Sequence, residues 1–260
     1  MTYDPTSIIY TCLLSYNLIY MFKSGNPALK AETFQWFSEV SESMTLEWTT
    51  NKSFILLWLV VLFAVWVWNY ATLVMPFMIP IIIVNLVLAF IIIWKKELAP
   101  SLAPIYACIE WVFIWVVSLM FEVSYPGIII QAVSLTFGVF LTMLLLYQTW
   151  IIKPTENFKL WVVAATWWIA FLYLISLFGN LTGLYNIGYI HETWWIYWIL
   201  ISGVIVIIAA LNLVLDFDFI ESWVELKAPK YMEWYAAFWL LITLIWLYLE
   251  ILRLIAKARD

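Results

Sequence analysis

The chain has 260 residues, 66% hydrophobic, 20% aromatic and only 11% charged, with a formal net charge of -5. A soluble domain carries about 45 to 50% apolar and about 25% charged residues, and a single core could not bury this excess, so the composition excludes a water-soluble globule and calls for a bilayer. The mild acidity and the scatter of the 12 basic residues exclude a nucleic-acid surface.

Residues 1–52 stand apart from the rest. Ile8 to Phe22 is short for a span and is interrupted by Ser15 and Asn17, and a polar stretch from Lys23 to Lys52 follows it. This is expected to be a cytoplasmic or interfacial segment. It lacks the basic start and small-residue cleavage site of a signal peptide. Residues 1–20 are expected to lie outside the true protein, with Met21 as the start.

Residues 53–260 read as an all-α, polytopic membrane domain. Lipid offers backbone amides no partners, so a span is a helix of about 20 mainly apolar residues. Seven windows qualify: Ser53 to Tyr70, Thr72 to Trp94, Leu102 to Phe121, Pro126 to Tyr147, Leu160 to Phe178, Trp194 to Phe217 and Trp234 to Leu254. Turn and charge signals separate them at Lys95-Lys96-Glu97 with Pro100, Tyr125-Pro126-Gly127, Lys153-Pro154, Gly179-Asn180 and Ala228-Pro229-Lys230, while the break near Asn69 carries no charge. Lys23, Lys30, Lys52, Lys95, Lys96, Lys153, Lys159, Lys227 and Lys230 fall on one side of the membrane in this scheme, against Arg253, Lys257 and Arg259 on the other. Basic loops stay in the cytoplasm, which places residues 23–52 inside and the C-terminus outside.

A charge within hydrocarbon costs about 2.5 to 3.5 kcal/mol on insertion scales, so acids near the spans are the candidate site. Glu110, in the middle of the third window, is the deepest. Asp216 and Asp218 close the sixth; at about 100° per residue they point roughly 200° apart, so only one can face a given partner. Glu233 opens the seventh window, and Glu250 lies far along it, three residues before Arg253. Each has a plainer reading: Asp216, Asp218 and Glu233 as solvated helix ends, Glu110 as a protonated acid bonded to a neighbouring helix, and Glu250 with Arg253 as an i, i+3 ion pair.

Enzymatic chemistries find no constellation. A Schiff-base lysine is missing between Trp234 and Glu250, both span-end aspartates share one helix instead of facing each other from two, and one His and two Cys give no zinc spacing. The chain is expected to be no enzyme and to need no cofactor.

Several stretches carry a recognisable pattern: Ser24 to Leu29, Met44-Thr45-Leu46, Ala103-Pro104-Ile105-Tyr106-Ala107 with Glu110, Tyr125-Pro126-Gly127-Ile128 and Leu135 to Gly138. It continues through Ala209 to Leu213, Asp216-Phe217-Asp218-Phe219-Ile220-Glu221, Ala228 to Tyr235 and Ile251 to Leu254. Polar and proline-bearing turns are among them, which hydrophobicity alone does not produce. On these residues, from Ser24 onward, the sequence resembles the bacterial branch of the Bax inhibitor-1 family. The resemblance implies seven transmembrane helices with the seventh central in a six-helix surround, a proton-sensitive pair of acids joining helices six and seven, and a calcium leak across a bacterial inner membrane. On that pattern Asp218 is the sixth-helix acid. The seventh-helix partner departs from it, because Leu241 to Thr243 contain no acid, and Asp218 is expected to pair with Glu233 instead. The acids of the expected ion pathway are then Asp218, Asp216, Glu233, Glu110 and Glu250, with calcium as the permeant ion. The competing expectation is a non-conducting protein that binds and modulates other membrane proteins, such as a quality-control protease.

One count is unusual: 19 Trp against 7 Gly. Trp48, Trp111, Trp115, Trp150, Trp167, Trp168, Trp223 and Trp239 stand where the resembling family usually has glycine. Some bacteria read UGA as glycine, so the expectation is a gene translated under a code that reads it as tryptophan, the alternative being a naturally aromatic-rich protein; UGG codons at Trp111 and Trp167 would end the first idea.

Overall fold

The computed structural model describes residues 43–66, 75–152, 154–182 and 195–259. The expected interfacial helix, the Met21 start, the break near Asn69 and His191 lie outside the described residues.

Among the described residues the chain forms seven α-helices: α1 (Leu46–Trp66), α2 (Met78–Trp94), α3 (Ala99–Ser124), α4 (Ile128–Gln148), α5 (Glu156–Thr182), α6 (Trp195–Glu225) and α7 (Met232–Arg259), with short 3-10 turns leading into α2 and α3. Five of them, α3 to α7, hold windows long and apolar enough to cross a membrane; α2 is apolar but shorter, at 17 residues. The chain is a membrane protein with several apolar helices, and each expected window overlaps one helix, but α1 begins at Leu46, inside the segment expected to precede the spans, and α6 runs on past Phe217 to Glu225.

Each break has a local cause. At Tyr125-Pro126-Gly127, Gly127 takes φ +80, open to residues without a Cβ. The Glu122 carboxylate then accepts hydrogen bonds from the Gly127 N–H at 2.6 Å and the Ile129 N–H at 3.1 Å, satisfying amides that the start of α4 leaves orphaned. The ends of α4 and α6 close with paired backbone bonds of a Schellman motif: Ile151 N–H to Leu146 C=O and Trp150 N–H to Tyr147 C=O in one, Ala228 N–H to Trp223 C=O and Lys227 N–H to Val224 C=O in the other.

Helix α7 is the interior one. Ala236, Ala237, Phe238, Leu241, Leu247, Ile251 and Leu252 are all buried, around most of its circumference. It packs chiefly against α6, α1, α4 and α3. Helix α5 packs on α6 and reaches α7 through a Tyr173 hydrogen bond to Glu250, and α2 packs principally on α3. The direct surround of α7 is therefore these four helices, with α5 and α2 forming an outer layer. That outer layer is apolar and open: Ile79 and Phe90 on α2, and Trp161, Trp167, Trp168 and Phe178 on α5, are exposed, as side chains facing lipid are.

Candidate functional site

The five acids fall into separate environments. Glu233, in the first turn of α7, is 0% exposed. It forms a buried ion pair with Lys52 of α1 and accepts the Thr45 N–H at 3.0 Å, while the Lys52 ammonium also lies 5.4 Å from the Trp234 ring centre. The Met44 N–H donates to the Ala228 carbonyl at 2.6 Å, so the start of α1 is sewn to the turn before α7.

Asp218 does not pair with Glu233, contrary to the sequence expectation. Its carboxylate meets Lys159 of α5 at 2.7 Å, and Lys159 also reaches Glu156 at 3.4 Å. The physical reason is rotational: Asp218 lies on the face of α6 turned to α5, and Glu233 is already neutralised by Lys52. Tyr147 of α4 donates to Glu221 close by, and Glu225 lies near the same phenol. Acids therefore outnumber the Lys159 cation at this end of α5 and α6.

Asp216 faces the other way, toward α7, where its carboxyl meets the Thr243 hydroxyl. Its second oxygen, Oδ2, is buried with no hydrogen-bond partner. The stretch from Leu241 to Thr243, where the resemblance puts an acid, is thus where α7 meets α6, but the residue in contact is Thr243 and the sixth-helix acid is Asp216 instead of Asp218. Thr243 itself donates to the Trp239 carbonyl at 3.2 Å.

Glu110 of α3 accepts a hydrogen bond from Asn85 Nδ2 of α2 at 2.6 Å, and the Tyr106 hydroxyl one turn back lies against the same carboxylate. Glu250 is 1% exposed and forms the expected i, i+3 pair with Arg253 at 2.8 Å. Two donors that the sequence did not suggest complete it, Tyr173 of α5 at 2.6 Å and Trp246 Nε1 at 3.2 Å.

Lys52, Lys96 and Lys159 group at one end of the bundle, whereas Lys257 lies in the last turn of α7 and donates to Ser202 at 2.6 Å. Lys52 meets Glu233, Lys159 meets Asp218, and Lys96 sits over the rings of Trp223 and Tyr235 at 5.3 and 5.4 Å. In the turn before α7, burial and then the neighbouring Glu97 hold the Tyr231 hydroxyl above the usual phenol range. At the opposite end Arg259 binds the Pro126 carbonyl at 3.1 Å and Gln131 at 2.8 Å.

Sequence reasoning missed the cations. Lys52, Lys159 and Asn85 were legible only as a loop charge, another loop charge and a lone amide in an apolar run; the signal that could have found Asn85 is that an amide in hydrocarbon needs a polar partner as much as a carboxylate does. No curated protein and no solved structure matches the chain. Residues 26–260 match the family described as Bax inhibitor 1 like, which takes in every helix described above, and the chain belongs to that family.

Proposed function

We propose that the protein is a proton-regulated cation leak, for calcium, in a bacterial inner membrane, with α1 and α2 also crossing the bilayer and the lysine-rich end in the cytoplasm. The observation that carries this reading is Asp216. It lies nine residues before the end of α6, about 14 Å inside at 1.5 Å per residue, with one buried carboxyl oxygen unpartnered at the seam with the central helix. The Thr243 hydroxyl lies within reach of both the Trp239 carbonyl and Asp216, so while it donates to that carbonyl its oxygen can accept a proton from Asp216. A protonated Asp216 therefore ties α6 to α7. An ionised one leaves a net negative charge in low dielectric with Oδ2 unpartnered, which a cation relieves. The surplus of acids around Asp218 and Glu221 draws cations to the same end, and carboxylate oxygens suit calcium.

The test is calcium flux into proteoliposomes holding the full chain, across a range of pH. Flux is expected to rise as pH rises, and Asp216→Asn, which can always donate to Thr243, is expected to hold it low and flat. Wild-type flux absent at every pH, or unchanged in Asp216→Asn, overturns the reading; absence together with a co-purifying membrane protein favours the non-conducting modulator.

A further inference from the structure

The second polar cluster in the bundle lies apart from the α6–α7 seam and needs its own account. Helices α2 and α3 run antiparallel from the Lys95 to Leu98 turn, and Asn85 and Glu110 sit nine residues before Trp94 and eleven after Ala99. At 1.5 Å per residue both are about 14 to 17 Å from that turn, near the middle of a hydrocarbon layer about 30 Å thick. They are 6% and 8% exposed. Tyr106 brings a phenol to the same carboxylate and packs its ring edge-on to Phe238 of α7 at 5.0 Å, so the cluster borders the central helix.

Two things about it are unbalanced. The ion pairs among the described residues fall on Glu233, Asp218, Glu156 and Glu250, leaving the Glu110 carboxylate with neutral donors alone. The amide oxygen of Asn85 is buried with no hydrogen-bond partner, although its Nδ2 is well used. A buried polar atom of this kind calls for an occupant, water or ion.

A proton on Glu110 corrects only the first imbalance. A protonated Glu110 can donate to the Tyr106 hydroxyl while still accepting from Asn85 Nδ2, which leaves the Asn85 amide oxygen without a partner as before. A water at Asn85 corrects only the second. A small cation bound by the Asn85 amide oxygen and the Glu110 carboxylate corrects both. One carboxylate neutralises one charge; a divalent ion would leave a net positive charge in the bilayer interior, where it is costly.

We propose that Asn85, Tyr106 and Glu110 form a binding site for a single monovalent alkali cation of the sodium class, with Glu110 supplying the charge and Asn85 and Tyr106 neutral oxygens. The site belongs to the α2–α3 pair and stands independently of calcium flux at Asp216.

Equilibrium binding of radioactive sodium to the full chain in nanodiscs tests it. Wild-type protein is expected to retain sodium displaceable by unlabelled sodium but not by choline, with affinity lowered about tenfold or more, some 1.4 kcal/mol, in Glu110→Gln and in Asn85→Leu. Asn85→Asp, which adds a second carboxylate, is expected to let calcium displace the label. Retention in wild type no greater than in Glu110→Gln, or displacement by choline equal to that by sodium, overturns the site. A measurement on the wild-type chain alone avoids variants that fold poorly: its unfolding midpoint should rise with sodium when N-methylglucamine keeps ionic strength constant, and indifference to sodium overturns the proposal equally.

Discussion

Trp150 shows how a single residue can work against its position. It occupies the left-handed C′ place of the Schellman motif ending α4, with φ 58, where a side chain costs about 1 kcal/mol and glycine costs nothing. The indole is exposed and gains little there. Trp150→Gly is expected to stabilise the protein by about 1 kcal/mol, read as a higher midpoint in detergent-titrated unfolding; an unchanged or lower midpoint would show the indole to be anchored by lipid. Of the other tryptophans at positions where glycine was expected, Trp48, Trp167 and Trp168 are exposed and crowd no helix seam. Trp111 and Trp115 are buried in a stack with ring centres 6.2 Å apart, and Trp223 stacks on Tyr235 at 6.1 Å. At this scale the acids themselves were legible, since charge in an apolar run is conspicuous. Their partners were not, because Lys52 is 181 positions from Glu233 and no local pattern joins them.

Among the elements, α1 depends most on one contact. Its opening turn is held to α7 by Glu233, which neutralises Lys52 and caps Thr45 together. Removing one member of a buried pair leaves the other charge stranded, at about 3 to 5 kcal/mol. Lys52→Met is therefore expected to destabilise the chain by about 3 kcal/mol and to raise hydrogen exchange at the start of α1 ahead of α4 and α5; uniform exchange across the helices would contradict the role given to this pair. Element identity was readable from hydropathy, as the agreement of windows with α3 to α7 shows. Rotation about each axis was not: the 200° separation of Asp216 and Asp218 said that they diverge, but which one turns to α7 depends on how α5 and α7 flank α6, and that is decided by packing.

For the molecule as a whole, the resemblance anticipated a central seventh helix, and α7 is interior, though α1, α3, α4 and α6 touch it most and α2 lies behind α3. Lys52, Lys96 and Lys159 lie at one end and Lys257 and Arg259 at the other. The proposed orientation can be measured: in a chain whose own cysteines, Cys12 and Cys108, are replaced, a thiol at Lys95 should react with a membrane-impermeant reagent only after the cytoplasmic face is opened, and a thiol at Ala258 in intact cells. The reverse pattern would invert the proposed topology.

The outer wall of α5 has one further consequence. Trp161, Trp167 and Trp168 stand exposed over seven residues of a single helix, a rise of about 10 Å. Their rings form a built-in ruler against the acyl chains, so in a chain whose other tryptophans are replaced by phenylalanine, fluorescence quenched by lipids brominated at successive carbons records how deeply this helix is immersed and whether it shifts vertically when the rest of the bundle rearranges.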